Sequence, residues 1–301
     1  VLDLRDVPPE QVLARTAEMV DGVTRHRATA RFLDPQAARE QVEALLEAQR
    51  DRSDLLDVVD GGSVVGLAWV SRSDDDLVVN HLCLDDPARA AELVPVLVER
   101  AREGEARMLG VPVHQDDPSR AVLAAQEGFQ LRATNMALPL DGEVADPGGL
   151  ELRRMTDAEF DDFLSGNAEE YAAELVATGM SVDAAAQRSR EQMGQLVPAG
   201  QQSPGMHFFT AWVGGAPVGS LWLCTLDPMA FVYDVVVDET QRRKGYGAAI
   251  MNRGALWSRE QGHPVLGLNV FAHNPGARAL YDRLGYVVTQ DYLALDVADA
   301  G

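Results

Sequence analysis

The sequence predicts a mixed α/β protein built from two similar halves in tandem. Three observations carry this. Apolar strand-like runs alternate with amphipathic helical stretches, a turn-rich segment divides the chain near its middle, and short patterns recur at a nearly constant spacing. With 301 residues, 46% hydrophobic and 24% charged, the chain is long and apolar enough to bury two ordinary cores. The divider is Asp141-Gly142-Glu143-Val144-Ala145-Asp146-Pro147-Gly148-Gly149, where glycine, proline and short polar residues favour open chain. Domains at 1–140 and 150–301, joined by a linker at 141–149, are therefore expected.

After the divider, Leu150 to Arg154 reads as a strand. Thr156 and Glu159 form a capping box for a helix with Phe160, Phe163 and Leu164 on its apolar face. Separate helices are expected at 167–178 and 182–196. Strands follow at 207–213 and 217–226, joined by Gly214-Gly215 as a hairpin, and then at 230–237. The run Gln241-Arg242-Arg243-Lys244-Gly245-Tyr246-Gly247 leads into a helix at 248–261. A strand at 265–271, a helix at 275–284 and a strand at 286–295 close this half.

The first half repeats this order in shorter form. Val64 to Val70 parallels Pro217 to Leu223, and Leu77 to Leu84 parallels Ala230 to Val237, both 153 positions apart. Asp117-Pro118-Ser119-Arg120 parallels Asn274-Pro275-Gly276-Ala277 at a spacing of 157. The first copy thus lacks about four residues, where the second carries its glycine loop.

Composition removes several function classes. The net charge is −21, from 47 acidic and 26 basic residues, so no broad basic face is expected for nucleic acid or an anionic membrane. Apolar runs such as Val232 to Val237 fall far short of the ~20 residues of a membrane span. Val1 to Asp6 has neither a basic start nor an apolar stretch, so no secretory signal is expected and the location expected is cytoplasmic. Cys83 and Cys224 are far apart, which argues against a disulfide framework or a cysteine-rich zinc site, and no metal is expected.

Against that acidic background, Arg242, Arg243 and Lys244 place three positive charges in one turn between a strand and a helix. Gly245 and Gly247 let the backbone turn tightly, so that several N–H groups converge at a helix N-terminus. Such a terminus carries partial positive charge and unpaired donors, which suits a phosphate.

At this point the chain resembles the GNAT N-acetyltransferase superfamily, whose acyl-CoA signature is Arg/Gln-x-x-Gly-x-Gly/Ala. Arg242-Arg243-Lys244-Gly245-Tyr246-Gly247 fits every defined position, and Asn269 to Tyr286 matches a second family signature downstream. The resemblance covers about residues 150–298 strongly and the first half weakly. It implies two tandem GNAT-like domains, each a mixed, mostly antiparallel sheet flanked by helices, in a layout similar to that of the mycothiol synthases.

The resemblance also implies roles. On the strand segment Val235, Val236 and Val237, main-chain groups of Val235 and Val237 should pair with the pantetheine arm of acetyl-CoA. Behind Arg242, the N–H groups of Arg243, Lys244, Gly245, Tyr246, Gly247 and Ala248 should hold the pyrophosphate. Asn274 should steady the pantetheine arm, with Ala277 counted among the cofactor-binding positions. Tyr281 should protonate the departing thiolate, as a phenol of pKa ~10 can for a thiol of ~8.5.

An amine of pKa ~10.4 must first lose a proton, at a cost of about 4–5 kcal/mol at neutral pH. Where some family members carry a glutamate, this chain has Asn269. Asp234, an acid within an apolar strand, is either the base or a structural carboxylate; simple alternation puts it on the face opposite Tyr233 and Val235. His207 and His273 are candidate relays or merely polar edge residues. From Asp157 to Asp183 there are eight acidic residues and no Lys or Arg. Glu169, Glu170 and Glu174 therefore either favour a cationic acceptor or form a solvated face.

In the first copy, Asp85-Asp86-Pro87-Ala88-Arg89 replaces the glycine loop with carboxylates that would repel a pyrophosphate, and Ala124 replaces Tyr281. That half is expected to lack an acyl-CoA site. The function expected of the whole is direct, acetyl-CoA-dependent acetylation of a small-molecule or peptide amine, since no nucleophile motif is present. A mycothiol-synthase-like acyltransferase and a non-catalytic acyl-CoA sensor are the alternatives. The oligomeric state is left open.

Overall fold

A computed structural model describes residues 1–31, 34–73, 75–177, 180–225 and 228–300. The first half runs β1 (Leu2–Asp6), α1 (Val12–Arg31), α2 (Pro35–Gln49), β2 (Ser53–Asp60), β3 (Ser63–Ser73), β4 (Asp76–Leu84), α3 (Val94–Glu103), β5 (Met108–His114), α4 (Pro118–Ala124) and β6 (Gln130–Pro139). The second runs β7 (Leu150–Arg154), α5 (Asp157–Ala177), α6 (Val182–Leu196), β8 (Met206–Val213), β9 (Ala216–Cys224), β10 (Ala230–Val237), α7 (Tyr246–Glu260), β11 (Val265–Phe271), α8 (Pro275–Arg283) and β12 (Val287–Asp296). The halves match element for element, as the mixed α/β tandem reading expects.

Two compact units result, and they do not follow the halves. One contains Val1–Ala137, Asn269–Asp282 and Tyr286–Gly301; the other contains Leu138–Leu268 and Arg283–Gly285. The cause is strand exchange. Within the first unit, β12 lies between β5 and β6 and pairs antiparallel with both, for example Leu293↔Val111 and Tyr292↔Ala133. That unit's sheet is ordered β1-β2-β3-β4-β5-β12-β6, and the second unit's β11-β10-β9-β8-β7. Among the described pairings of these units, only β4–β5 and β10–β11 are parallel, and each lasts three residue pairs.

In the first unit, Leu56, Val58, Leu97, Val98 and Leu123 belong to one buried cluster, while Met19, Val20, Val42, Leu67 and Trp69 form another under α1 and α2. In the second unit, Met155, Phe160, Phe208 and Trp222 pack under α5. Phe209 meets Trp257 of α7 at 5.2 Å. The capping box is present, with Thr156 N–H donating to Glu159 Oε2 at 2.7 Å. At Gly214-Gly215 both φ values are positive, 59° and 83°, as a two-residue hairpin turn requires.

Some expectations need correction. The helices expected on either side of Gly166 are one helix, α5. Asn167, which reads as a start signal, instead donates its side-chain amide back to the Phe163 carbonyl at 3.3 Å, so the helix continues. The ends proposed at Thr178 and Leu226 lie outside the described residues. Helix α7 starts at Tyr246, two positions before the expected Ala248.

The duplication holds bond by bond. A bulge interrupts the β3–β4 register beside Trp69↔His81 and the β9–β10 register beside Trp222↔Asp234, 153 positions apart. Asp85 N–H donates to the Val65 carbonyl at 2.9 Å, and Asp238 N–H to the Val218 carbonyl at 3.0 Å. A glycine opposite each β4/β10 strand permits this approach. A Cβ on Gly219 would stand 2.1 Å from the Val236 carbonyl oxygen, and one on Gly66 would stand 2.5 Å from that of Cys83. Gly219→Ala should therefore lower unfolding free energy by about 3 kcal/mol in urea titration, whereas a loss under about 0.5 kcal/mol would mean the strands yield freely there.

Candidate active site

The site begins where β10 loses a neighbour. Parallel pairing with β11 stops at Val232↔Leu268, while pairing with β9 continues to Val237↔Gly219. Because Asp238 N–H bonds to Val218, antiparallel alternation turns the main-chain groups of Val236 towards β9 and those of Val235 and Val237 to the open edge. Of the three valines expected to serve the cofactor, only these two present their backbone there. The Val237 carbonyl accepts from Arg242 Nε at 3.3 Å, and the Asp234 carboxylate draws on the Val235 N–H. The Val235 carbonyl and Val237 N–H remain, spaced for an added amide-bearing chain.

Beyond β10, a 3-10 turn at Glu239–Gln241 carries the chain to the basic loop. Arg243 has φ 66°, uncommon for a residue with a side chain, and Gly245 has φ 84° as the N-cap of α7. No side chain caps this 15-residue helix, and its first main-chain bond runs from Ala249 N–H to the Gly245 carbonyl at 3.2 Å. The N–H groups of Tyr246, Gly247 and Ala248 are thus left unused by helix geometry. Arg242, Arg243 and Lys244 are exposed, and Lys244 Nζ rests on Gln241 Oε1 at 2.9 Å. Unpaired donors, a helix N-terminus and three cations together suit a pyrophosphate.

The bulge between Val232 and Asp234 re-aims the next side chains. Tyr233 stacks on Trp222 at 4.9 Å, and Asp234 Oδ2 accepts from Asn167 Nδ2 of α5 at 3.2 Å. Phe163 of α5 also meets Trp222, at 6.2 Å. Tyr233 and Asp234 therefore share the α5 face, and the alternation expected of them is corrected by the bulge. Burial pushes the Asp234 carboxyl above the usual carboxylate range; Asn167 and the Val235 N–H draw it back and Glu170 adds to the rise. Sequence reading missed Asn167, whose one signal was a polar residue four positions after Phe163.

Glu169 and Glu170 are both exposed. Glu170 lies three positions after Asn167 and so shares its helix face, whereas Glu169 does not. Glu174 is on α5, but its side chain lies outside the described residues. His207 bonds Thr225 Oγ1 at 2.8 Å and lies 4.7 Å from Trp257 of α7. That is the other face of the sheet from Asp234, so the structure does not bring this candidate relay to the carboxylate. Burial also lowers its pKa.

Of the second signature, Asn269–Asp282 and Tyr286 belong to the first unit and Arg283–Gly285 to the second. Asn274 Oδ1 caps α8 by accepting from Ala277 N–H at 3.0 Å, which occupies both groups in holding the helix start. Tyr281 is buried, with its ring 5.7 Å from Tyr286. Asn269 Nδ2 donates to Asn135 Oδ1 at 2.8 Å, and exposed His273 stacks on Phe271 at 5.4 Å.

In the first half protein groups reach the corresponding edge at two positions. The counterpart of Val237 N–H is that of Leu84, and it donates to Ser119 Oγ at 3.3 Å. The Asn80 carbonyl, counterpart of that of Tyr233, accepts from Arg120 Nη1 at 2.5 Å. Arg120 is 2% exposed and also bonds Asp117. Positions matching Ser119 and Arg120 in the second half are Gly276 and Ala277, which carry no such groups. Where the basic loop would stand, Asp86 Oδ1 accepts from Ala88 N–H at 3.1 Å, spending a donor a phosphate would need.

Comparison with known proteins agrees with this geometry. The Acetyltransferase (GNAT) family model matches residues 169–286. The chain is 30% identical over 145 residues to the uncharacterized N-acetyltransferase YdgE of Bacillus subtilis, covering 46% of this chain and 92% of that protein. It is 28% identical over 300 residues to a mycothiol acetyltransferase of Clavibacter sepedonicus, covering 93% of this chain and 94% of that one. A GCN5-related N-acetyltransferase from Sphaerobacter thermophilus shares the fold, with a TM-score of 0.58 at 19% identity over 98% of this chain and 96% of that one. No described helix is long and apolar enough to cross a membrane. With its open β10 edge, its uncapped basic loop and its repeated architecture, the chain belongs to the GNAT family of acetyltransferases, in the tandem form.

Proposed function

We propose that the chain moves an acetyl group from acetyl-CoA directly to a primary amine, and that only the second copy of the domain grips the carrier. The observation that carries this is the run of unused main-chain donors at the start of α7, flanked by Arg242, Arg243 and Lys244. The Val235 carbonyl and Val237 N–H would hold the pantetheine amides, and the Arg243–Ala248 donors the pyrophosphate.

Asp234 is assigned the proton from the amine. Its partner Asn167 is a neutral amide, which orients the carboxylate without the 1–3 unit drop that a guanidinium would impose. A buried carboxylate so held is a better proton acceptor than a solvated one. Tyr281 is assigned the proton delivered to the leaving sulfur. Exposed Glu170 beside the Asn167 face favours a cationic acceptor. The likeness to a mycothiol acetyltransferase over 93% of this chain supports a second reading, a mycothiol-synthase-like acyltransferase.

Thiol release from acetyl-CoA in the presence of an amine panel should give turnover with cationic primary amines; no turnover with any of them would sink the assignment. Tyr281→Phe should cut kcat at least about 100-fold while leaving the CoA dissociation constant within about two-fold. Calorimetry should count one CoA per chain, because Ser119, Arg120 and Asp86 fill the first copy; a count of two would overturn that part.

Asp234 gives a pH test. Its native pKa is raised, so its contribution to stability is full below about pH 3.9 and is lost as pH rises through the native value. Asp234→Asn should melt higher than the parent at pH 7, with the gap closing towards pH 4, and should transfer acetyl groups about 100-fold more slowly or worse. Equal melting at pH 7 together with equal rates would remove Asp234 from both roles.

A further inference from the structure

A row of polar side chains crosses the sheet of the first unit and ends at Asn269, to which the proposed reaction gives no role. His114 on β5, Gln290 on β12 and Asn135 on β6 stand directly opposite one another, and Asn269 on β11 continues the row. Asn269 Nδ2 donates to Asn135 Oδ1 at 2.8 Å, Asn135 Nδ2 to Gln290 Oε1 at 2.7 Å, and Gln290 Nε2 to His114 Nε2 at 3.4 Å.

The direction of these bonds is set at the histidine end. The Thr289 carbonyl can only accept, so His114 Nδ1, 3.1 Å away, carries the proton. Burial, with the charge of Arg120 next in weight, pushes the ring's pKa down to about 4, which leaves Nε2 a lone pair at neutral pH. Gln290 must then turn its NH2 to the ring and its carbonyl to Asn135, and Asn135 passes the same order to Asn269. The last amide spends an N–H on Asn135 and keeps its carbonyl for another donor. Asn269 is exposed, and among the described residues no donor meets its Oδ1.

Asn269 directly follows Leu268, the residue at which β11 parts from β10. A carrier held at α7 by its diphosphate and along Val237 and Val235 by its amides would run back along β10 towards that point. His26 of α1 stacks on His114 at 5.6 Å, so the row lies on the face that α1 covers, the counterpart of the face where α5 meets Asp234. In the first copy, which lacks the basic loop, the position matching Asn269 at the spacing of 157 is Pro112, with no amide side chain.

A primary ammonium gives up two of its three protons on the way to an amide. One leaves before the nitrogen attacks the thioester. The second leaves after the C–N bond forms, as the C–S bond breaks and the thiolate takes up a proton. A primary amine therefore keeps one N–H throughout, whereas a secondary amine keeps none. Resting on the acetyl-transfer reading, we propose that Asn269 selects primary amines: its Oδ1 accepts the N–H that stays, and Asn135 and Gln290 are positioning residues. The bond strengthens as the attacking nitrogen gains positive charge, so it favours the transition state over the bound amine.

The test runs the amine panel in pairs, benzylamine with N-methylbenzylamine and butylamine with N-methylbutylamine. Asn269→Leu should cut kcat/KM for the primary members at least about ten-fold more than for their N-methyl partners, as one hydrogen bond to a charged group allows. Gln290→Leu should shift the same ratio in the same direction by a smaller factor. Equal losses on both members of each pair would mean a structural role only, overturning this inference while acetyl transfer stands; no turnover of any primary member would overturn both. A further readout needs no turnover. In the full chain labelled with 15N-histidine, the His114 ring, identified by its loss in His114→Gln, should be neutral and protonated on Nδ1 at pH 7. A ring protonated on Nε2 would reverse the row and overturn the inference.

Discussion

A main-chain edge that must find partners governs both copies of this domain. In each, two parallel strands part after three residue pairs, which exposes N–H and C=O groups of the inner strand. Leaving such a group buried and unmatched costs about 1–3 kcal/mol, so each edge needs an answer. The first copy answers from within, through Ser119 on Leu84 and Arg120 on Asn80. At the matching positions the second copy has Gly276 and Ala277, which carry no such groups, and the Val235 carbonyl and Val237 N–H stay open. The same parting of strands is bridged by side chains in one half and left open in the other.

Electrostatics divides the copies in the same way. The chain carries a net charge of −21, yet Arg242, Arg243 and Lys244 stand together at a helix start that no side chain caps. The first copy places Asp86 there, and its carboxylate takes the amide of Ala88. Where the second copy has an uncapped basic loop, the first has a capped turn with about four fewer residues and two acids. His81 and Asp234 mark a similar divergence at the bulge. Burial, with Arg120 next in weight, depresses the His81 ring to a pKa of about 4, so it stays neutral where Asp234 is a carboxylate bonded by Asn167.

Much of this was legible from local pattern. The strands at Ala230–Val237 and Val265–Phe271 coincide with the apolar runs that announce them, because turn residues bound both sharply. The glycine loop was legible because its chemistry is contiguous in sequence. Other features were not. The bulge beside Asp234 inserts one residue into a register that alternation alone cannot sense, so the face of Tyr233 was misread. Asn167 resembled a helix start, and only its partner across the unit shows why it sits inside α5. The place of β12 between β5 and β6 is set by pairings some 150–190 residues apart, which leave no mark in a short window.

That last arrangement bears on how the molecule is made. On a ribosome, β5 and β6 emerge long before β12, yet β12 must slot between them. Until residues 287–296 leave the exit tunnel, the first unit has a gap in its sheet and two unsatisfied strand margins open to strangers. The nascent protein therefore cannot mature one half at a time. Its earlier strands wait, vulnerable to aggregation, for a partner made about 150 residues later.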